Sequence, residues 1–202
     1  MIEADTDGPI WTLTINRPDK AGALTEEMLQ ELVAQCRAAK DARALILTGT
    51  GKVFSAGADL DAAKAGLAVS PLWEELSGAI AALPCLTIAA LNGTVAGGAN
   101  GMVLACDMRI AAPGTRFFYP VMRLGYLPQP SDPVRMAALI GPARTKMVLL
   151  AGQKIDAATA YQFGLVDEII EDGDVTGRAR VLCSDVLNAD MVTARTIKAL
   201  CR

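Results

Sequence analysis

The stretch Ala44-Leu45-Ile46-Leu47-Thr48-Gly49-Thr50-Gly51-Lys52-Val53-Phe54-Ser55-Ala56-Gly57-Ala58-Asp59-Leu60 carries the strongest fold signal in the chain. Its first five residues are almost wholly apolar, as expected for a strand covered on both faces, and Gly49-Thr50-Gly51 ends them. A turn of small residues, Phe54 to Leu60, follows and leads into helix. The same arrangement recurs downstream. Leu86 to Leu91 is apolar, Asn92-Gly93 stops it, and the small-residue turn Asn92-Gly93-Thr94-Val95-Ala96-Gly97-Gly98-Ala99-Asn100-Gly101 opens another helix. Between the two lies a helical stretch from about Trp73 to Leu83, broken by Pro84. Strand, helix, strand, helix in this order favours α/β crossovers.

Working outward, Ile10 to Ile15 alternates, with Trp11, Leu13 and Ile15 on one side, after the turn-forming Asp5-Thr6-Asp7-Gly8-Pro9; a strand following a hairpin turn is expected. Thr25 can cap a helix carrying Glu26 and Glu27 in its first turn and Met28, Leu29, Leu32, Val33 and Cys36 on one face, ending near Lys40-Asp41. Ala99 to Cys106 suits a tightly packed helix, and Met108 to Ala111 one more strand. Asp132-Pro133 restarts helix, with Asp132 as the preferred N-cap and Pro133 where a missing N–H costs nothing. The remainder reads mainly helical, with a short strand from Val166 to Ile170.

The 202 residues suffice for one domain with a real core, and with 52% hydrophobic, 20% charged and 4% aromatic residues that core is built mostly from Ala, Leu, Val and Ile. A net charge of −3 without a basic run argues against a nucleic-acid partner. The chain has no histidine, which removes Ser-His-Asp and Cys-His catalysis, histidine bases and histidine-ligated metals together. Cys36, Cys85, Cys106, Cys183 and Cys201 are widely spaced, with no CxxC pair, and read as reduced core thiols; no metal site is expected. The acidic start Met1-Ile2-Glu3-Ala4-Asp5-Thr6-Asp7 is unlike a signal peptide, and no apolar run reaches the ~18 residues of a membrane span. A soluble cytoplasmic protein without a membrane partner is expected.

Where a strand ends and a helix begins, the first main-chain N–H groups lack intrahelical partners and sit at the positive end of the dipole, so each small-residue turn can hold an oxyanion. Two such donors on one carbonyl oxygen would stabilise an enolate or tetrahedral anion, at ~2.7 to 4 kcal/mol per donor. The same glycines suit close helix–strand packing, the reading that spacing alone favours, and periodicity does not decide between the two. Nucleotide motifs fail: Gly49-Thr50-Gly51-Lys52 lacks the upstream glycine and following Ser/Thr of a phosphate loop, and Gly97-Gly98-Ala99-Asn100-Gly101 does not fit GxGxxG.

Several segments in order resemble the crotonase superfamily, the enoyl-CoA hydratase/isomerase family. Asn16-Arg17-Pro18-Asp19-Lys20 with Ala23-Leu24 is similar to its opening signature, with Gly22 in place of the usual asparagine. Leu47 to Leu60 is similar to its most characteristic block, and Ile88 to Gly93, the Gly97-Gly98 turn, Ala105 to Ala111 and Arg144 to Val166 continue the pattern over nearly the whole chain. The resemblance implies an α/β fold, a spiral of ββα units forming a single domain over 1–202, with a spiral core to about 165 and C-terminal helices over about 173–202. It implies a homotrimer or hexamer that binds an acyl-CoA thioester, coenzyme A entering only as part of the substrate and no separate cofactor being needed. The C-terminal helical part is shortened after Thr196-Ile197-Lys198-Ala199-Leu200, which puts the trimer packing in question.

By the same carry-over, the N–H groups of Ala58 and Gly98 form the oxyanion hole. Main chain near Ala56, Asp59 and Leu60 contacts the coenzyme, while Lys20 and Ala23 lie along its phosphate and ribose side. The family's two catalytic glutamates fall on Gly101 and Val121, neither of which can move a proton. Hydration, which relies on acid and base contributions of ~10²–10⁴ each, is therefore expected to be weak or absent. In the following loop, Gln129 can orient water or a carbonyl, and Asp132 can act as a base if it is not spent as a cap. Tyr119 and Tyr126 could supply a phenolic proton but read more readily as structural, and Asp61 reads as a solvated helix residue. Two functions remain: an acyl-CoA enzyme of hydratase, isomerase or lyase type that uses the oxyanion hole without the glutamates, as in fatty acid metabolism, or a catalytically silent acyl-CoA-binding or regulatory subunit.

Overall fold

Long and short strands alternate along the chain. The computed structural model describes residues 1–201. The strands are β1 (Ile2–Asp5), β2 (Ile10–Ile15), β3 (Ala44–Gly49), β4 (Val53–Ser55), β5 (Leu86–Leu91), β6 (Thr94–Ala96), β7 (Met108–Ala111), β8 (Arg116–Phe118), β9 (Ile155–Asp156) and β10 (Glu168–Ile169). The helices are α1 (Glu26–Ala38), α2 (Leu60–Lys64), α3 (Leu72–Ala81), α4 (Ala99–Leu104), α5 (Val121–Leu124), α6 (Ser131–Leu149), α7 (Ala157–Phe163), α8 (Val175–Leu182), α9 (Ser184–Asn188) and α10 (Met191–Leu200).

One sheet runs β1-β2-β3-β5-β7-β10, and a second runs β4-β6-β8-β9. After each of β3, β5 and β7 a tight turn sends the chain into the second sheet as β4, β6 and β8, and helix follows. These three consecutive ββα units stack with β3, β5 and β7 mutually parallel and β4, β6 and β8 mutually parallel. This is the expected spiral, and it is a mixed α/β fold.

Alternation along β3 and β5 explains why both read as continuous apolar runs. Leu45, Leu47, Ala89 and Leu91 face the main core with α1 and α3, whereas Ala44, Ile46, Ile88 and Ala90 face a smaller core closed by Val175, Ala179 and Cys183 near and along α8. Burial on both faces removes the polar half of the usual strand pattern. The C-terminal helices are tied down by polar contacts: the Arg43 guanidinium donates to the carbonyls of Val186, Leu187 and Ala189, and Lys198 Nζ to Cys85 O at 2.6 Å and Asp107 Oδ2 at 2.7 Å.

Most expected elements lie where the pattern put them. Thr25 caps α1, its hydroxyl accepting from Met28 N at 3.4 Å, and the α-helix gives way to a 3-10 turn over Ala39–Asp41. Three expectations need correction. Asp132 is not the N-cap of α6: that position is held by Pro130, and Asp132 sits inside the first turn with its side chain turned away from the helix amides. The Val166-to-Ile170 strand shrinks to Glu168–Ile169, because the amides of Leu165 and Val166 close on Ala160 O instead of on a strand. Cys201 is exposed, while the other four cysteines are buried thiols. Among the described residues no helix is long and apolar enough to cross a membrane.

Candidate active site

The parallel pairing of β4 with β6 sets the two small-residue turns side by side. Gly57 has φ +88°, and a Cβ there would lie 2.8 Å from Ala96 O and 3.5 Å from Gly97 Cα, so only glycine permits this approach. Hydrogen bonds then consume the amides around each turn. On the first, Ala56 N donates to Ala21 O, Gly57 N to Ser55 Oγ and Asp59 N to Leu24 O. On the second, Gly97 N donates to Phe118 O and Asn100 N to Gly97 O, while the Asn100 side chain clamps Gly97 O at 2.8 Å and Phe118 O at 3.1 Å. Among the described residues, the amides left without a protein acceptor include those of Ala58 and Gly98, along with the first helical amides of Leu60 and Ala99. The Ala58 and Gly98 donors are half-buried in adjacent turns, where an N–H without a protein partner can serve a ligand oxygen.

Both residues line one cavity of about 340 Å³, within the range of small-ligand sites. Its walls are chiefly apolar, with Trp73, Phe118 and Leu124 among them, and Lys64 is the single charged side chain in the lining. Trp73 is fixed by its indole N–H, which donates to Leu67 O at 2.8 Å. A Cβ on residue 98 would meet that ring at 2.8 Å, so the ring presses directly on the glycine whose amide is free.

The expected site residues divide. Ala56, Ala58, Leu60, Gly98, Val121 and Gln129 line the cavity, with Leu60 at its exposed rim. Lys20 and Ala23 lie outside the lining: Lys20 is exposed in a 3-10 turn, and Ala23 is buried with its carbonyl accepting from Arg17 at 2.9 Å. The Asp59 carboxylate is already engaged, accepting from Asp61 N and Ala62 N as the cap of α2 and from Arg17 at 2.9 Å, and these bonds hold it below the usual carboxylate range. Asp61 is exposed and pairs with Lys64 at 3.2 Å. Tyr126 lies in the lining and is partly exposed.

Gly101 and Asp132 meet. A Cβ on residue 101 of α4 would lie 2.8 Å from Asp132 Oδ1 and 3.2 Å from Oδ2, so the Asp132 carboxylate fills the space into which a side chain at 101 would grow. Asp132 is fully buried. Tyr119 donates its hydroxyl to Oδ2 at 2.8 Å, and Oδ1 has no partner. Burial pushes the Asp132 carboxyl up to about 6, against the bond from Tyr119 and the nearby Arg135 cation, with Glu74 adding to the rise. Burial and the Asp132 charge likewise raise the Tyr119 hydroxyl. Tyr119 lines the cavity, which makes its pairing with Asp132 the feature that the sequence did not disclose: residues thirteen apart, joined through a loop, leave no periodic trace.

The sequence model of the enoyl-CoA hydratase/isomerase family matches residues 5–202. EchA8 of Mycobacterium tuberculosis is 30% identical over 204 residues, covering 98% of this chain and 79% of that protein. The short-chain-enoyl-CoA hydratase of Clostridium acetobutylicum is 29% identical over 203 residues, covering 96% and 78%. In three dimensions, the enoyl-CoA hydratase/isomerase from Pseudoalteromonas atlantica superposes with a TM-score of 0.90 at 27% identity, covering 98% of this chain and 81% of that one. A match that runs through both turns and nearly the full length places this chain in the enoyl-CoA hydratase/isomerase family of the crotonase superfamily.

Proposed function

We propose that the chain binds an acyl-CoA thioester and polarises its carbonyl through the main-chain N–H groups of Ala58 and Gly98. The observation that carries this reading is that these two amides lack protein acceptors and border the same apolar cavity. Donors held ready for an oxyanion need no reorganisation when charge develops, and apolar walls strengthen them. The apolar walls suit an acyl chain, and Lys64 beside Leu60 supplies a cation for a phosphate-bearing coenzyme. Coenzyme A is part of the substrate, and Gln129 is placed to orient a carbonyl or water.

Ordinary hydration is expected to be weak or absent, because Gly101 and Val121 supply no acid or base. That same pair of residues favours a second reading, a catalytically silent acyl-CoA-binding subunit. As in the family it resembles, we expect a homotrimer or hexamer, a point light scattering decides. The primary test is calorimetric titration with butanoyl-CoA against its thioether analogue S-butyl-CoA, which lacks the carbonyl. Tighter binding of the thioester supports the oxyanion hole; equal binding, or none of either, refutes it. Rapid hydration of crotonyl-CoA by the unmodified protein would refute the assignment of Gly101 and Val121.

A further inference from the structure

The Asp132 carboxylate occupies the space in front of Gly101, hydrogen-bonds a tyrosine of the cavity wall and keeps one buried oxygen unpartnered. We infer that Tyr119 and Asp132 form a proton-transfer pair that takes a hydrogen from the carbon next to the thioester carbonyl of a bound acyl-CoA. The inference rests on the reading above and deepens it, since the enolate oxygen that results is the one held by Ala58 and Gly98.

The step balances. The C–H bond breaks and its electron pair moves through carbon to the carbonyl oxygen. The proton passes to the Tyr119 oxygen as the phenolic hydrogen moves to Asp132 Oδ2, so the phenol is regenerated and the carboxylate becomes a carboxylic acid. When the stored proton is replaced from solvent before it returns to the same carbon, the result is exchange; in a β,γ-unsaturated acyl group, return to the γ carbon gives the α,β isomer. No oxidant or second substrate enters. Tyr119 is the catalytic residue, because it lines the cavity. Asp132 acts through it and is a positioning residue that also stores the proton.

The surroundings fit. Glu74 on α3 accepts from Ser131 Oγ at 3.0 Å, Arg135 on α6 donates to that same hydroxyl at 2.7 Å, and α4 presents no titratable side chain at all. Asp132 therefore faces one cation and one anion close by, together with Tyr119, and its burial sets the balance. A carboxyl titrating near 6 is ionised at neutral pH and still basic enough to accept a proton.

The experiment follows but-3-enoyl-CoA, whose α-hydrogens are flanked by both the carbonyl and the double bond, in D₂O by proton NMR and mass spectrometry. Calorimetric binding is run in parallel. Wild type is expected to incorporate deuterium with a rate that rises through pH 6 and then levels. Asp132→Asn and Tyr119→Phe each lower that rate at least ~100-fold with affinity kept within about threefold, and Asp132→Asn abolishes the pH 6 inflection. Asp132→Glu restores part of the rate and the inflection, which a purely structural role would not do. Unchanged exchange in Tyr119→Phe, which removes only the hydroxyl, overturns the inference even if Asp132→Asn does not fold. Binding without exchange in wild type also overturns it and leaves the acyl-CoA reading standing as a silent binder. Absence of binding removes the acyl-CoA reading itself.

Discussion

The cavity has two sides built on different principles. One side is main chain: the Ala58 and Gly98 amides, positioned by parallel strand pairing and by glycines that let two turns touch. The other is side chain: Tyr119, in the lining from the segment after β8, and behind it Asp132 from the first turn of α6, joined by one buried hydrogen bond. The first needs glycine at Gly57 and Gly98 but no particular functional group, whereas the second needs two specific functional groups. The contrast teaches that main-chain donors come with the fold's own turns, while a side-chain pair depends on which residues two separate elements bring together.

The sharpest way to break the main-chain side is Gly57→Val. A side chain at φ +88° and 2.8 Å from Ala96 O is both strained and overpacked, and the two costs together come to about 4 kcal/mol. Chemical denaturation should show this loss, and any folded fraction should bind butanoyl-CoA poorly, because the two turns have separated. A variant as stable as wild type would mean that the turns do not depend on this contact.

Asp132 offers the next largest effect, through pH. Its folded value of about 6 lies above the ordinary 3.8, so folding favours the protonated form. The stabilisation this gives is complete below about pH 4 and is lost as pH rises through 6, amounting to about 3 kcal/mol. Asp132→Asn should flatten that decline and leave the protein more stable than wild type at pH 7 by denaturant midpoint. A variant with unchanged pH dependence would show that Asp132 is not buried as an acid.

The same contrast governs what could be read from the residues alone. The strands, α1 with its Thr25 cap and both small-residue turns are local features: each follows from spacing, capping or a stop signal within a few residues. The turn amides were legible for that reason. At Asp132 the local signal, Asp before Pro, points to a cap, and a tertiary contact overrides it: Tyr119 and the space at Gly101 claim the carboxylate instead. Lys20 and Ala23 carry no local signal of their own: resemblance alone puts them along the coenzyme's phosphate and ribose side, and they lie outside the cavity lining. Nothing in a linear pattern reports which side chain fills another residue's missing volume.

That complementarity between positions 101 and 132 can be measured. Gly101→Glu alone drives a side chain against Asp132 Oδ1 and should cost about 2 kcal/mol, whereas in an Asp132→Gly background the cost should largely vanish. Denaturant midpoints of the four proteins give the coupling directly. Additive costs would mean that the two residues do not share the space, and trace hydration of crotonyl-CoA by the double variant would show that the old position still addresses the cavity.

The smallest effect tests how the neighbours tune the side-chain half. Glu74 adds to the rise in the Asp132 carboxyl and Arg135 opposes it. Glu74→Gln should therefore move the pH 6 inflection of deuterium exchange toward acid, and Arg135→Gln should move it toward base, each by less than the ~1 kcal/mol of a partly screened charge pair. The main-chain half contains no titrating group, so thioester binding at fixed pH should be the same in both variants. Shifts in the same direction would show that the two substitutions act by loosening α3 and α6 rather than through charge, because only an electrostatic effect changes sign with the residue removed.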